Sequence, residues 1–307
     1  MSNVVVLTGG TSSEREICFR SAAAIERALR RRGHEVTTFD YADGIVPHRD
    51  ALLAADCVVP ALHGKGGEDG TLQAELERLG VPFVGSDSAA SALCMDKWRF
   101  KQHVTGRVPV PKGELVAADG LWRSTLTSAP FVLKPNDGGS SVDTFLVSDP
   151  AAADRAALLD ALTRNGPMLV EELIPGIELT VGVLGDEALP VIEIIPPPDG
   201  EFDYENKYNG RTQELCPPRN IAPERQRAAQ ELAVLTHRLC GCRDLSRADF
   251  MLDPAGELYL METNTFPGMT DQSLFPKEAA VAGIPMDELL DRFVRMALAR
   301  GRGVSTG

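Results

Sequence analysis

The chain has 307 residues, of which 43% are hydrophobic and 24% charged, and a formal net charge of −13 at pH 7. This length predicts two or three domains that share a cleft. The acidic balance argues against a nucleic-acid-binding surface, and no apolar run reaches the roughly 18 residues of a transmembrane helix. The start of the chain lacks the basic segment and cleavage site of a signal peptide, so we expect a cytoplasmic protein with reduced cysteines.

Residues 1 to about 90 predict a small doubly wound parallel α/β domain. Strands are predicted at 4–7, 35–41, 57–62 and 81–84, and helices at 13–32 and 71–79. Ser13 and Glu16 form a capping-box pattern at the start of the first helix. The preceding turn, Gly9-Gly10-Thr11-Ser12, lacks the G-x-G-x-x-G spacing, which disfavours a dinucleotide-dependent dehydrogenase.

A glycine-rich loop follows a predicted strand in the middle of the chain. A helix is predicted at 88–104, and the strand at 131–134 leads into the sequence PNDGGSSV at 135–142. Glycines let backbone N–H groups approach a phosphate closely, and Lys134 supplies a positive charge. We therefore interpret 135–142 as a phosphate-binding loop, with a plain hairpin turn as the alternative.

The second half of the chain predicts further strands, two helices and one polar loop. The strands lie at 168–173 and 178–184, and the amphipathic helices at 224–240 and 286–300. Residues 202–215 are polar, aromatic and glycine-containing, which is typical of a mobile loop that closes over a site.

Residues 247–264 predict a β-hairpin with a charged face. Alternating apolar runs flank a turn at 253–256, and one face carries Arg247, Asp249, Glu262 and Asn264. Pairing across the turn places Arg247 opposite Glu262, with Asp249 diagonal to Glu262. Neighbouring acids repel unless a cation lies between them, and oxygen ligands suit Mg²⁺ or Mn²⁺, which implies a phosphate-bearing substrate. A solvated hairpin with a charged outer face is the alternative.

Taken in order along the chain, these motifs resemble the D-alanine–D-alanine ligase family of ATP-grasp enzymes. The matching segments 9–16, 62–70, 95–97, 134–142, 204–208, 247–250 and 262–270 are GGTSSERE, LHGKGGEDG, MDK, KPNDGGSSV, YENKY, RADF and ETNTFPGMT. The resemblance implies an ATP-grasp fold preceded by a small doubly wound α/β domain. The predicted domains are 1–93, 94–180 and 181–307, the first being the N-terminal α/β domain. The implied assembly is a homodimer.

The resemblance also implies an ATP site between two antiparallel sheets. Lys97 and Lys134 match lysines on the phosphates, Glu178 matches the acid that binds the ribose, and 171–173 matches the segment that holds adenine. The implied nucleotide contacts are Lys97, Lys134, Ser140, Ser141, Glu171, Glu172, Leu173, Glu178, Lys207 and Asn264. The implied ligands of two Mg²⁺ or Mn²⁺ ions are Asp249, Glu262 and Asn264.

Sites for two D-alanine molecules are implied as well. The matching residues are Glu14, His63, Ser140, Tyr208, Arg247, Gly268, Ser273 and Leu274. Glu14, with His63 nearby, matches the acid that receives the first ammonium group, and Ser273 with Leu274 matches the site of the second carboxylate. Arg247 and the Gly268 backbone N–H match the groups that stabilise the oxyanion. Ser140 and Tyr208 match the pair that links Glu14 to the mobile loop.

Simpler roles remain open for three of these residues. An acid in the first turn of a helix is favoured by the helix dipole, which alone explains Glu14. The alternative for His63 is a plain turn histidine, and the alternative for Tyr208 is a loop aromatic that only packs.

The family reaction is implied to pass through an acylphosphate formed from the first D-alanine and ATP. A related ligase making D-alanyl-D-serine, D-alanyl-D-lactate or a secondary-metabolite amide is one alternative, although Tyr208 favours an amine acceptor. A catalytically silent nucleotide-binding homologue is another. The chain departs from the family pattern at 137–138 and at Asp143, where glycine is usual. An extra carboxylate there is unfavourable near phosphates unless it points away or approaches magnesium.

Overall fold

The computed structural model describes residues 1–139, 142–197 and 212–301. Its N-terminal part consists of β1 (Asn3–Thr8), α1 (Arg15–Arg31), β2 (Glu35–Asp40), α2 (Arg49–Ala54), β3 (Cys57–Pro60) and α3 (Thr71–Leu79). The three strands form a parallel sheet in the order β2-β1-β3, as the doubly wound α/β prediction required. The predicted strand at 81–84 is reduced to one parallel bridge between Val58 and Phe83.

Helix α1 buries the expected apolar face but begins differently from the prediction. Ala22, Ile25 and Leu29 are almost fully buried against the sheet. The predicted capping box at Ser13 is wrong, because Glu14 is the N-cap and no side chain caps the helix. The Ser12 hydroxyl instead donates to the backbone carbonyl of His63 at 2.7 Å, which joins the turns that follow β1 and β3.

The helix predicted at 88–104 is two helices, α4 (Ser88–Met95) and α5 (Lys97–Val104). They meet at Asp96, whose backbone is extended and whose carboxylate caps α5 by accepting from the Arg99 N–H. Asn136 binds this end of α5, since its carbonyl accepts from Lys97 N at 2.9 Å and its side chain accepts from Trp98 N at 2.9 Å. The break therefore fixes the start of α5 against the glycine-rich loop.

Two antiparallel sheets follow. The first has the strand order β4-β7-β5-β6, formed by β4 (Gly113–Val116), β5 (Phe131–Pro135), β6 (Phe145–Val147) and β7 (Met168–Glu172), with α6 (Arg155–Asn165) beside it. The second has the order β11-β10-β8-β12-β13, with β9 (Glu187–Ala188) paired to β8. Its other strands are β8 (Ile177–Leu184), β10 (Ile192–Ile195), β11 (Gln213–Leu215), β12 (Leu245–Leu252) and β13 (Leu258–Asn264). Strand β11 occupies the end of the loop predicted at 202–215, and 198–211 lie outside the described residues.

Three helices complete the described chain: α7 (Pro223–Leu239), α8 (Leu274–Val281) and α9 (Met286–Ala299). Phe275 and Phe293 from α8 and α9 share a hydrophobic core with Val4 and Val6 of β1. Helices α8 and α9 therefore pack onto the N-terminal sheet. The predicted boundaries after 93 and 180 remain predictions, and β8 crosses the second of them. No helix among the described residues is long and apolar enough to span a membrane.

Candidate active site

The charged face of the β12–β13 hairpin forms as predicted, but with a different register. Asp249 lies directly opposite Glu262, and Arg247 lies opposite Asn264. The predicted pairing of Arg247 with Glu262 is wrong, because a β-bulge shifts the register between Asp249 and Phe250. The bulge leaves Met261 as the additional residue of β13 and so brings the two carboxylates directly opposite each other.

Arg247 and Asp249 form a bidentate ion pair on this face. The guanidinium donates from Nε at 2.9 Å and from Nη2 at 2.7 Å, and both side chains are mostly buried. Thr180 of β8 adds a hydrogen bond to the same carboxylate at 2.6 Å. Burial opposes the charge of Arg247, yet Asp249 and further acids outweigh burial and hold the pKa of the guanidinium above its usual value. Arg247 is therefore a permanent cation.

Three lysines lie between the two antiparallel sheets. Lys97 donates to the Gly138 carbonyl at 2.6 Å and lies 3.4 Å from Glu262 Oε2. Lys134 on β5 and Lys101 on α5 each lie 2.6 Å from an oxygen of Glu171, which is fully buried on β7. Lys101 was not predicted from the sequence, although it follows Lys97 by four residues on the same helix face.

The glycine-rich loop approaches the N-terminal domain at Glu14. A Cβ on Gly139 would lie 3.2 Å from Glu14 Oε2, and a Cβ on Gly64 would lie 2.7 Å from the same atom. Lys65 and Asp137 form an exposed ion pair at 3.2 Å beside this contact. The structure therefore brings Glu14, the turn after β3 and the glycine-rich loop together.

Asp143 points away from the glycine-rich loop. Its carboxylate accepts from Asn165 at 2.7 Å and from Arg164 at 2.9 Å, both at the end of α6. The hydrogen bonds from Asn165 and Arg164 hold the pKa of Asp143 below its usual value. The extra carboxylate is thus neutralised by a neighbouring guanidinium.

His63 is buried and neutral. Its Nε2 lies 3.0 Å from the Ser21 hydroxyl, which also accepts from Met269 N at 3.4 Å. Burial lowers the pKa of His63 to about 4, so the ring carries no charge near pH 7. Through Ser21, His63 connects the turn after β3 with the segment that follows the hairpin.

Gly268 and Ser273 lie in the turn that leads into α8. A Cβ on Gly268 would lie 2.9 Å from Ser273 Oγ, so the turn requires a residue without a side chain there. Ser273 Oγ accepts from Thr270 N at 3.0 Å, and Ser273 is the N-cap of α8, whose first residue is Leu274. Free N–H groups at such a helix start favour an anion, which suits the carboxylate implied for this position.

The remaining nucleotide-contact residues lie at the ends of β7 and β8 or outside the described residues. Glu172 accepts from Lys112 N at 2.9 Å, and Leu173 N donates to Pro130 at 3.1 Å. Glu178 on β8 pairs in register with Met251 of β12. The predicted roles of Ser140, Ser141, Lys207 and Tyr208 fall outside the described residues.

Glu68 and Glu278 are acids that the sequence analysis missed. Glu68 accepts from Gly64 N at 2.5 Å and lies within electrostatic reach of Glu14, Arg247 and Glu262. Burial, aided by Glu14, raises the pKa of Glu68 to about 8. Glu278 on α8 is fully buried, and burial raises its pKa well above the usual value. No local pattern marked either one, since both appear as ordinary surface acids in their helices and turns.

The hairpin face presents oxygen atoms of the kind that Mg²⁺ takes as ligands in proteins. Within 1–139, 142–197 and 212–301, no three His, Cys, Asp or Glu side chains form a group placed to hold a metal. Asp249 and Glu262 with the Asn264 amide are an incomplete oxygen set. Mg²⁺ fits such a set when substrate phosphates and water supply the other ligands.

The chain is similar to known proteins over almost its whole length. Two family models match it, D-ala D-ala ligase C-terminus over residues 122–295 and D-ala D-ala ligase N-terminus over residues 44–86. The D-alanine–D-alanine ligase of Oleidesulfovibrio alaskensis is 42% identical over 300 residues, covering 96% of each chain. The chain belongs to the D-alanine–D-alanine ligase family. A second family member, from Erythrobacter litoralis, is 40% identical over 307 residues and covers 96% of this chain and 93% of its own.

Solved structures of the family have the same fold. The D-alanine–D-alanine ligase of Bacillus anthracis superposes with a TM-score of 0.83 at 29% identity, covering 98% of both chains. The same enzyme complexed with ATP gives a TM-score of 0.82 at 27% identity, again covering 98% of both chains. The predicted ATP-grasp fold and the assignment as a ligase are confirmed.

Proposed function

We propose that this enzyme joins two D-alanine molecules at the expense of ATP, forming D-alanyl-D-alanine for peptidoglycan precursor synthesis. The observation that carries the proposal is the hairpin face of Arg247, Asp249, Glu262 and Asn264, which lies across from Lys97 and the glycine-rich loop. Beside this face, Glu14 supplies a carboxylate for an ammonium group. Membership of the D-alanine–D-alanine ligase family supports the same reaction.

The first step activates a carboxylate. An oxygen of the first D-alanine carboxylate attacks the γ-phosphorus of ATP, and the bond to the β-phosphate oxygen breaks to release ADP. Glu14 binds the ammonium group of this D-alanine, while Lys97 and Lys134 bind the phosphates. Asp249, Glu262 and Asn264 would hold Mg²⁺ or Mn²⁺, which when bound neutralises phosphate charge.

The second step forms the peptide bond. The deprotonated amine of the second D-alanine attacks the acylphosphate carbon, and the developing oxyanion lies near Arg247 and the Gly268 N–H. The oxyanion then collapses and phosphate leaves. The turn at 270–273 and the start of α8 receive the carboxylate of this second D-alanine.

The wider properties of the protein follow from the same proposal. We infer a cytoplasmic homodimer, because the family resemblance implies that assembly and D-alanine is a small polar metabolite. D-Serine or D-lactate as the second substrate is the alternative within the family. Tyr208 favours an amine acceptor, which D-lactate lacks.

The test measures ADP release and dipeptide formation together. With ATP, Mg²⁺ and D-alanine, we expect one D-alanyl-D-alanine per ADP by mass spectrometry, and less product with D-serine or D-lactate as the second substrate. Arg247→Lys should lower kcat about 100-fold or more, because an oxyanion contact is lost. Arg238→Met is the matched control at an exposed ion pair and should leave kcat unchanged. ADP release without dipeptide would contradict the proposal.

A further inference from the structure

Lys101 lies outside the residues that the family resemblance implies. We propose that Lys101 is a positioning residue of the nucleotide site, which holds Glu171 in place and thereby frees Lys134 to bind the phosphates of ATP. The proposal rests on the ATP-dependent function proposed above. Lys101 itself does not touch the substrate.

The three residues form a buried triad between the two sheets. Lys101 Nζ lies 2.6 Å from Glu171 Oε1, and Lys134 Nζ lies 2.6 Å from Glu171 Oε2. The side chain of Glu171 is 0% exposed, that of Lys101 3% and that of Lys134 10%. Both contacts are close ion pairs. The more accessible lysine is therefore Lys134, the one implied to contact ATP.

The charges of the triad explain why two lysines are present. Burial acts to raise the pKa of Glu171, but Lys134 and Lys101 outweigh it and hold the pKa below its usual value, so Glu171 is a carboxylate. If Lys134 were its sole partner, moving Lys134 to a triphosphate would leave a buried charge uncompensated, which is strongly unfavourable. Lys101 remains as the second counter-ion. Lys134 can then detach without that cost.

The position of Lys101 suits a fixed counter-ion rather than a mobile ligand. Its helix α5 is held against the glycine-rich loop by Asn136. Lys101 Nζ also lies 3.5 Å from the Leu260 carbonyl of β13, so the side chain bridges the second sheet and β7 of the first. Lys97, one turn earlier, contacts Glu262 in the same cleft. We assign the two lysines different roles: Lys97 binds the phosphates, and Lys101 binds Glu171.

The experiment compares Lys101→Met, Lys101→Arg, Glu171→Gln and the double variant Lys101→Met/Glu171→Gln. Steady-state kinetics give KM for ATP, KM for D-alanine and kcat, and calorimetry gives the Kd of ATP. We expect Lys101→Met to raise KM and Kd for ATP about tenfold. In that variant, moving Lys134 to ATP leaves the buried Glu171 carboxylate without a counter-ion. KM for D-alanine should stay within about twofold, and Lys101→Arg should restore ATP binding because it keeps the charge.

The double variant separates positioning from a general structural role. When Glu171 is neutral, Lys134 is no longer held, so the effect of Lys101→Met should shrink to less than about twofold in the Glu171→Gln background. An unchanged effect in that background would overturn the proposal. So would an equal rise in KM for ATP and D-alanine with a lower Tm, or no change in ATP binding at all.

A control variant, a substitute variant and the Kd of ATP complete the experiment. Arg99→Met, on the exposed face of the same helix, is the matched control and should behave like the wild type. If Lys101→Met does not fold, Lys101→Gln takes its place with the same expectations. The Kd of ATP tests Lys101 even if the wild-type enzyme makes no dipeptide, so failure of the proposed function is read separately.

Discussion

At the scale of single residues, Asp143 carries a negative charge close to the glycine-rich loop without facing it. The residue has a positive φ of 53°, a conformation that suits glycine, and its carboxylate turns toward Arg164 and Asn165. From sequence, this position was the main conflict with a triphosphate site. The conflict disappears once the position of α6 is known.

We therefore expect Arg164 to favour ATP binding by neutralising the Asp143 carboxylate. Arg164→Met should raise KM for ATP about threefold, because the Asp143 carboxylate loses the cation that neutralises it. In an Asp143→Gly background the same substitution should have no effect on KM. Stability should change by less than about 1 kcal/mol, since the ion pair is partly exposed. An equal effect in both backgrounds would show that Arg164 acts through another residue.

At the scale of elements, α8 packs so closely on β8 that one position must be glycine. A Cβ on Gly182 would lie 2.5 Å from Glu278 Oε2 and 2.9 Å from the Phe275 side chain. The Gly182 N–H donates to Glu278 Oε1 at 2.9 Å, and Gly182 lies next to Arg247 in the register of β8 and β12. The helix that carries Ser273 and Leu274 at its start is thus fixed against the hairpin face.

Gly182→Ala should destabilise the protein by about 2 kcal/mol in chemical denaturation, because overpacking forces α8 from the sheet. Glu278→Ala removes the nearest obstructing atom, so the double variant should recover about 1 kcal/mol relative to the sum of the single changes. Gly120→Ala is the control, where the nearest atom would lie 3.4 Å away and the change should stay within about 0.5 kcal/mol. Additive losses would mean that Glu278 is not the obstacle.

At the scale of the whole molecule, the N-terminal sheet and the C-terminal helices form one folded unit. Their shared core includes β1 and α9, and ion pairs of Arg31 with Asp287 and of Arg32 with Asp291 join α1 to α9. Two buried histidines, one after β3 and one on α7, give the stability of the protein a pH dependence. His63 and His237 both have pKa values of about 4, lowered chiefly by burial from the usual 6.5.

Each histidine should reduce stability in acid. The unfolded state binds protons at pH 6.5 and below, whereas the folded state binds them only near pH 4, so the free energy of unfolding falls as pH drops through this window. The loss is up to about 3 kcal/mol for each residue. Glu68, with a pKa of about 8, acts in the opposite sense, so it adds stability as the pH falls from 8 to 4.5.

The informative quantity is therefore the difference in the free energy of unfolding between a histidine variant and the wild type. Relative to the wild type, His237→Gln should lose less stability between pH 6.5 and 4 in urea titrations, and parallel curves would contradict the prediction.

Much of the fold and the site was readable from local patterns. Alternation of apolar residues marked β12 and β13, the spacing of Ala22, Ile25 and Leu29 marked the buried face of α1, and glycines marked the turns. These features follow from backbone geometry over a few residues, which a sequence displays directly. The charged hairpin face was predictable for the same reason, since residues two apart on a strand share a face.

Tertiary packing decided the remaining features. The bulge at Met261, the break at Asp96 and the Lys101–Glu171 pair depend on neighbours distant in the chain, and no local period encodes them. Register and charge pairing are set by which surfaces meet when sheets and helices pack. The sequence by itself determined which charged residues share the face of the hairpin, and the tertiary structure decided which carboxylate faces which cation, because a buried charge without a partner is strongly unfavourable.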